Sequence, residues 1–312
     1  MEKILCAWKL LESGRIKEKK SSFKIVTHIQ TYGKMIKFSH TVFAIPFALA
    51  AVILAQRNSE VTIWLLFWIL VAMAGARSAA MGFNRIADAG FDRKNPRTAQ
   101  RAIPAGTLSI KSAIYFVTGF SLIFILAAAM ISRLCFMLSF PVLFILFSYS
   151  YTKRFTAFSH LYLGFCVSLS PIGAWIAVTG GFDYSVLILS MALLAHIAGF
   201  DILYACQDVE FDKKINLFSI PARFGTAAAF NFSSFLHFLS FLSFFLLFIV
   251  FDLGVVYMVA LFLIGCLFVL EHQLVKPYDL THIKTAFFHV NSAISIILFL
   301  GILGDELLRR CL

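Results

Sequence analysis

Long runs of apolar residues alternate with short polar segments along most of this chain. A transmembrane helix needs roughly 20 largely apolar residues to cross about 30 Å of hydrocarbon. Runs that meet or approach this length lie at about 38–55, 61–82, 108–131, 134–151, 161–180, 184–205, 226–250, 253–274 and 285–303. The pattern therefore predicts an all-α integral membrane protein, folded as a bundle of nine transmembrane helices.

The composition agrees with this pattern and excludes a soluble globular protein. Of the 312 residues, 60% are hydrophobic and 14% are charged, and the mean hydropathy is +0.87. Such values lie outside the range of soluble domains. We divide the chain into a basic cytoplasmic segment at 1–36, a membrane domain at 37–305 and a short C-terminal tail at 306–312. The first segment mixes Glu with Lys and lacks the apolar core of a cleaved signal peptide.

The net charge of +11 follows a membrane topology and does not indicate a nucleic-acid partner. With the N-terminus in the cytoplasm, most of the 27 Lys and Arg fall in the N-terminal segment and in the loops on that side. This is the positive-inside asymmetry, so the charge is predicted to set the orientation and to contact anionic lipid. Arg309 and Arg310 fall on the opposite side and are exceptions.

Two polar stretches follow the ends of apolar runs on the predicted cytoplasmic side. The polar side chains at helical spacing are Asn84, Asp88 and Asp92 in the first stripe, and Asp201, Tyr204, Asp208 and Asp212 in the second stripe. Residues four apart on a helix share one face and lie about 5–6 Å apart at Cβ, where like charges repel. Each stripe is therefore predicted to face a positive group.

A diphosphate with Mg²⁺ supplies that group, because Mg²⁺ is usually held by one or two carboxylates together with phosphate oxygens. Cations on the same side would bind the phosphate, and the candidates are Arg97, Arg101, Lys153 and Arg154. The six Cys and eight His show no zinc-ligand spacing. Two alternatives stay open: the charges pair only with each other in solvated loops, or the acids serve an ion-coupled transporter.

The two stripes also resemble the motifs of a known family. Their spacings match N-x-x-x-D-x-x-x-D and D-x-x-x-x-x-x-D-x-x-x-D, the signatures of the UbiA superfamily of intramembrane aromatic prenyltransferases. Tyr204 stands where many members have Tyr. Further similarity lies in Arg97-Thr98, Arg101, Pro104 and Gly106, in 151–156 and in 38–43. The resemblance covers nearly everything after residue 35, and it implies a nine-helix bundle.

The resemblance implies an activity and its partners. The activity is transfer of a polyprenyl group from polyprenyl diphosphate to an aromatic acid acceptor of the 4-hydroxybenzoate type, in ubiquinone or menaquinone biosynthesis. The implied partners are these two substrates and membrane lipid. Many 4-hydroxybenzoate enzymes have an acid directly after the motif Asn, where this chain has Arg85. Prenylation of 1,4-dihydroxy-6-naphthoate for menaquinone therefore stays open. No mitochondrial presequence is evident, so a bacterial inner membrane with a cytoplasmic site is expected.

The motifs also imply a role for each site residue, with Mg²⁺ as the cofactor. The expected metal ligands are Asn84, Asp88, Asp92, Asp208 and Asp212. The expected catalytic residues are Asp88, Asp92, Asp201, Asp208 and Asp212, of which Asp201 or Asp208 would remove the proton from the acceptor ring. The expected substrate-binding residues are Asn84, Arg97, Arg101, Lys153, Arg154 and Tyr204.

Overall fold

The computed structural model of the protein describes residues 31–33, 35–57 and 59–311. Within these residues the backbone forms helices, turns and loops, and no strand. The helices of more than ten residues are α1 Ile45–Ala55, α2 Ile63–Ala87, α3 Ile110–Ile131, α4 Arg133–Thr152, α5 Ser159–Thr179, α6 Val186–Ala205, α7 Thr226–Val250, α8 Val255–Leu274 and α9 Asn291–Cys311. The predicted N-terminal segment at 1–36 lies almost wholly outside the described residues.

Eight of these helices, α2 to α9, are long and apolar enough to span a bilayer, as expected of an integral membrane protein. The predicted run at 38–55 folds differently. It forms a 3₁₀ turn at Phe38–Phe43 and then α1, whose 11 residues rise only about 16 Å. Pro46 fixes the first turn of α1, because it lacks an N–H group and its φ suits that position. Helix α1 is too short to cross a bilayer alone, so the count of nine full spans is not confirmed.

Polar side chains fix several helix ends. Thr62, Ser109 and Ser132 accept hydrogen bonds from backbone N–H groups at the starts of α2, α3 and α4. Each such cap satisfies a donor that lacks an intrahelical partner and contributes about 1 kcal/mol. Gly180 ends α5 with a φ of +74°, a left-handed conformation that glycine adopts without a steric penalty. Local sequence therefore determines where these helices begin and end.

Close contacts hold α6 at the centre of the bundle, where most of its side chains are buried. Gly164 of α5 lies against the α6 backbone, and a Cβ at this position would be 2.4 Å from the carbonyl oxygen of Leu194. Gly199 of α6 lies against the His237 ring of α7, and a Cβ there would be 2.3 Å from it. Because neither glycine leaves room for a side chain, the separations of α5, α6 and α7 are tightly defined.

A buried polar pair fixes the turn before α9. Residues Ala286–Val290 form a π-helical turn, a feature often found at functional sites. The side-chain amide of Asn291 donates to the carbonyl oxygens of Ala286 and Phe287, at 3.0 and 3.3 Å. It also donates to Glu271 Oε1 at 2.9 Å. Both partners are buried, so these bonds hold the turn that carries Phe287.

Ion pairs join helix ends on the side predicted to be non-cytoplasmic. Arg57 Nε donates to Glu306 Oε1 at 2.8 Å, and Arg309 lies 3.3 Å from Asp252 Oδ2. Arg309, an exception to the positive-inside pattern, thus pairs with an acid at its own end of the bundle. Glu306 is buried and α9 continues to Cys311. The tail predicted at 306–312 therefore begins inside the last helix.

Candidate active site

A polar cavity of about 280 Å³ lies where the ends of α2, α4, α5 and α6 meet, and side chains of both stripes line it. Of the eleven predicted site residues, ten line this cavity: Asn84, Asp88, Asp92, Arg97, Arg101, Lys153, Asp201, Tyr204, Asp208 and Asp212. The packing therefore brings together residues more than one hundred positions apart in the sequence.

The first stripe bends where α2 ends. Asn84 lies in the last turn of α2, whereas Asp92 lies on a separate short helix, Ala89–Lys94. Between them, the Asp88 carboxylate accepts hydrogen bonds from Asn84 Nδ2 at 3.2 Å and from Lys153 Nζ at 2.6 Å. Lys153 directly follows α4, so this ion pair joins α2 to α4 at the cavity.

The loop after the first stripe folds back over it. Arg101 Nη1 donates to both carboxylate oxygens of Asp92, at 2.7 and 2.8 Å, and Arg85 Nη1 lies 3.6 Å from the same group. Thr98 Oγ1 donates to the backbone oxygen of Asp92 at 3.1 Å. These bonds hold residues 95–101 at the rim of the cavity.

The same loop also contacts the second stripe. Asn95 Nδ2 and Arg97 Nε donate to Asp208 Oδ1 at 2.9 and 2.8 Å, and Arg97 Nη2 binds the other oxygen of Asp208. A bidentate pair of this kind fixes orientation as well as distance. One loop thus joins the two stripes across the cavity.

The second stripe is not a continuous helix, contrary to the prediction of one helical face. After α6 a 3₁₀ turn spans Cys206–Asp208, and a short helix spans Val209–Lys214. The tighter turn directs Asp208 towards Arg97. Asp212, one turn further on, accepts a hydrogen bond from Ser219 Oγ at 2.9 Å. In the described chain Asp212 forms no ion pair with a Lys or Arg side chain, whereas Asp88, Asp92 and Asp208 each form one or more.

Tyr204 forms an aromatic wall of the cavity. Its ring centroid lies 4.2 Å from that of Phe287, and its hydroxyl oxygen accepts a hydrogen bond from Arg97 Nη1 at 3.2 Å. Lys37 Nζ lies 5.7 Å from the Tyr204 centroid. Burial, together with repulsion by three neighbouring Arg side chains, lowers the pKa of Lys37 to about 8. Its φ of +46° is uncommon for a residue other than glycine, and such strain is often found at functional sites.

Asp201 pairs with His160, which sequence reasoning missed. The Nδ1 atom of His160 lies 2.7 Å from Asp201 Oδ2, and both residues line the cavity. His160 is at the start of an apolar helix, where a single His commonly serves helix packing. No spacing in the sequence relates position 160 to position 201, so only the packing of α5 on α6 shows this pair.

Arg154 is the predicted site residue that the structure places elsewhere. Its Nη2 donates to the carbonyl oxygen of Ala87 at 2.9 Å, and its guanidinium lies 4.6 Å from the Tyr151 ring centroid. Stacking on this ring holds the side chain outside the cavity. Arg154 is therefore not among the residues that line the cavity, and its binding of phosphate beside Lys153 stays a prediction.

The acids suit a divalent cation that arrives with phosphate oxygens. In the part of the chain that the structure describes, no three Asp, Glu, His or Cys side chains are placed to hold a metal ion by themselves. Among the described residues, Asp88 Oδ1 is buried without a hydrogen-bond partner and Asp212 has no cationic partner, so both retain acceptor capacity. Mg²⁺ usually needs only one or two carboxylates when phosphate supplies further ligands. The donor set therefore fits Mg²⁺ bound together with a diphosphate.

An apolar chamber of about 220 Å³ adjoins the polar cavity, with walls from α2, α3, α4 and α5. Ala44, Arg77, Met81 and Val167 line both spaces. Arg77 Nε donates to Thr41 Oγ1 at 2.9 Å, and Arg77 forms no ion pair with any acid of the described residues. A ligand with a charged head and a long apolar tail matches these two adjoining spaces.

A family model and two curated proteins resemble this chain. The model described as UbiA prenyltransferase family matches residues 44–293. The 4-hydroxybenzoate octaprenyltransferase of Nitrosospira multiformis is 30% identical over 233 residues, which cover 75% of this chain and 80% of that protein. The protein of the same name from Francisella tularensis subsp. novicida is 29% identical over 258 residues, covering 81% and 88%.

Solved structures resemble the fold. The apo structure of a UbiA homolog from Aeropyrum pernix K1 has a TM-score of 0.78 and 31% sequence identity, with coverage of 85% of this chain and 98% of that one. A UbiA homolog from Archaeoglobus fulgidus, bound to DMAPP and Mg²⁺, has a TM-score of 0.64 at 19% identity, covering 88% and 99%. The second likeness concerns the fold alone.

Proposed function

The chain belongs to the UbiA prenyltransferase family and is a prenyltransferase, and on this basis we propose that it transfers a polyprenyl group from polyprenyl diphosphate to an aromatic acid of the 4-hydroxybenzoate type. The reaction would serve ubiquinone or menaquinone biosynthesis. We further propose a bacterial inner membrane as its location, with the cavity facing the cytoplasm. The observation that carries the proposal is the polar cavity, lined by both stripes, beside an apolar chamber.

The polar cavity suits the diphosphate. Arg97, Arg101 and Lys153 line it and would bind phosphate oxygens after exchanging their present carboxylate partners. Mg²⁺ would be held by carboxylates of both stripes and would offset the negative charge of the leaving diphosphate. The proposed ligands are Asn84, Asp88, Asp92, Asp208 and Asp212.

The apolar chamber suits the polyprenyl tail and keeps water from the reacting carbon. Stabilising charge on the leaving diphosphate allows the allylic C–O bond to break. The allylic cation that remains persists only where water is excluded, and the apolar walls beside the cavity provide such a place. The ring of the acceptor, held against Tyr204 and Phe287, would then attack the allylic carbon.

The acceptor is proposed from the names of the relatives. Several are 4-hydroxybenzoate octaprenyltransferases, which favours that substrate. Arg85, at the position where many such enzymes have an acid, lines the cavity and keeps 1,4-dihydroxy-6-naphthoate as the second candidate. Membership of a prenyltransferase family favours an enzyme over the ion-coupled transporter that acids in a bundle also allow.

A prenylation assay with two acceptors in parallel tests the proposal. Purified protein in lipid vesicles is given octaprenyl diphosphate, Mg²⁺ and either 4-hydroxybenzoate or 1,4-dihydroxy-6-naphthoate. We expect a prenylated product with one of them, and loss of product when EDTA removes the metal. No product with either acceptor, together with unchanged diphosphate, would contradict the proposed function.

Arg77 is expected to bind the carboxylate of the acceptor, because it is a cation of the cavity without an acidic partner in the described chain. Replacing Arg77 by Gln should raise KM for the aromatic acid about 10- to 100-fold, since a hydrogen bond to a charged group contributes about 1.5–3 kcal/mol. The KM for polyprenyl diphosphate should change little. Arg93→Gln, an exposed cation outside the cavity, is the matched control. Equal KM changes for both substrates in R77Q would count against this role.

A further inference from the structure

We propose that His160 accepts the proton that the aromatic acceptor loses, and that Asp201 holds His160 in the reactive tautomer. This inference rests on the proposed function and assigns to His160 a step that the sequence pattern assigned to an acid. It starts from one contact, the 2.7 Å approach of His160 Nδ1 to Asp201 Oδ2 on the wall of the cavity.

The contact determines which nitrogen carries hydrogen. An ionised carboxylate only accepts hydrogen bonds, so His160 Nδ1 must be the donor. In the neutral imidazole, Nε2 then has the free lone pair. This Nε2 atom is buried and has no hydrogen-bond partner among the described residues. A lone pair held free by a carboxylate on the opposite nitrogen is the arrangement of a general base in histidine–carboxylate pairs.

Asp201 differs from the other acids in its partner. Asp88, Asp92 and Asp208 each bind a Lys or Arg side chain, so their carboxylate oxygens already accept charge-assisted hydrogen bonds from a cation. Asp201 instead binds an imidazole, which is neutral while Nε2 keeps its lone pair and becomes a cation when Nε2 takes up a proton. Asp201 can therefore stabilise an imidazolium once His160 has taken a proton.

Helix packing defines the geometry of this pair. His160 lies one turn before Gly164 on α5, and Gly164 lies against Leu194 of α6. Asp201 is two turns after Leu194 on the same helix. Because the helices touch at a glycine, the two side chains meet with His160 only 5% exposed. Such burial restricts the imidazole to one orientation.

The step balances in atoms and charge. The allylic C–O bond breaks and its electron pair leaves with the diphosphate. A ring carbon of the acceptor then forms the new C–C bond to the allylic carbon, which makes the ring cationic. The C–H bond at that ring carbon breaks, its electrons restore the aromatic ring, and the proton goes to His160 Nε2. Water removes the proton from the imidazolium after the product leaves.

An isotope experiment separates this role from a structural one. In His160→Gln the side chain can still donate a hydrogen bond to Asp201 but cannot take the proton. We expect turnover to fall by about 10²- to 10⁴-fold, the usual contribution of a general base. An acceptor deuterated at the prenylated carbon should then show a primary isotope effect in H160Q that is small or absent in the wild type.

Ionisation of the donor provides the second readout. Exchange of ¹⁸O between bridging and non-bridging positions of the prenyl diphosphate reports C–O cleavage without ring deprotonation. This exchange should continue in H160Q and in Asp201→Asn. If H160Q does not accumulate as folded protein, Asp201→Asn is used for the same measurements. The control is His282→Gln, an exposed His outside the cavity, which should behave as the wild type.

The outcomes distinguish this assignment from the proposed function. If the wild type prenylates neither acceptor, the proposed function is wrong, and this assignment with it. If the wild type is active and H160Q turns over at the wild-type rate, only the role of His160 is wrong. The same holds if H160Q loses ¹⁸O exchange and prenyl transfer to the same extent and shows no isotope effect.

Discussion

Replacing Asp88 or Asp208 by alanine should lower prenyl transfer at least about 10³-fold, because each removal takes away charge that holds the leaving group's metal and cations in place. Asp88 binds Lys153 and Asp208 binds Arg97, so each variant would also release a cation proposed to bind phosphate from its fixed position. The product is measured with saturating donor and acceptor across a Mg²⁺ titration. Asparagine at either position keeps the volume and should lose nearly as much activity.

The matched control for these variants is Asp183→Ala. Asp183 is exposed between α5 and α6, and its carboxylate bonds only to Ser185 in the described chain. This variant should keep wild-type turnover. Membrane insertion and detergent-solubilised elution are compared for all variants, so that loss of activity is not loss of protein. Wild-type turnover in both D88A and D208A would contradict the proposal that carboxylates of both stripes hold Mg²⁺.

Filling the apolar chamber should change which donors the protein accepts. Gly173 lines the chamber, and apart from its chain neighbours and its own helix backbone no described residue has an atom within 4 Å of a Cβ at this position. A Gly173→Phe side chain would therefore occupy space proposed for the polyprenyl tail. Excluding even one isoprene unit removes several buried carbons, each worth about 0.8 kcal/mol, so use of octaprenyl diphosphate should fall by about 10²-fold or more. Dimethylallyl diphosphate, which has almost no tail, should react as before.

A second glycine provides the control for the chamber. Gly119 on α3 also has open space next to its Cβ position but does not line the chamber. Gly119→Phe should leave the preference between long and short donors unchanged. If G173F uses octaprenyl and dimethylallyl diphosphate in the wild-type ratio, the tail lies elsewhere.

In the cavity without substrate, most Lys and Arg side chains are neutralised by ion pairs with the acids of the two stripes. The proposed ligand would therefore have to exchange with these pairs. Lys153, Arg97 and Arg101 are already paired with acids, so the proposed diphosphate with Mg²⁺ would exchange partners with groups of both signs. Such exchange keeps buried charges paired at each stage, which avoids the cost of an isolated ion. Lys37, Arg77 and Asp212 line the cavity without an ion pair in the described residues.

The sequence alone determined the members of both stripes and the eight helices of the described chain that are long and apolar enough to span a bilayer. Apolar runs of about 20 residues have one stable solution in a bilayer, because a helix satisfies its own backbone hydrogen bonds. The runs at 108–131 and 226–250 accordingly match α3 and α7 closely. Spacing four residues apart is also local information, so Asn84 and Asp88 could be grouped without a structure. That grouping accounts for the seven stripe residues that line the cavity, whereas the three cations there were predicted from their charge and their side of the membrane.

Tertiary structure decided which of these groups meet. The loop at 95–101 binds Asp92 and also reaches Asp208, a pairing that no local pattern contains. His160 meets Asp201 only because Gly164 lets two helices touch, and Arg154 leaves the cavity because an aromatic ring lies beside it. Hydropathy and helical periodicity depend on neighbours in the chain, whereas these contacts depend on the distance between helices and on side-chain volume, which are properties of the packed bundle.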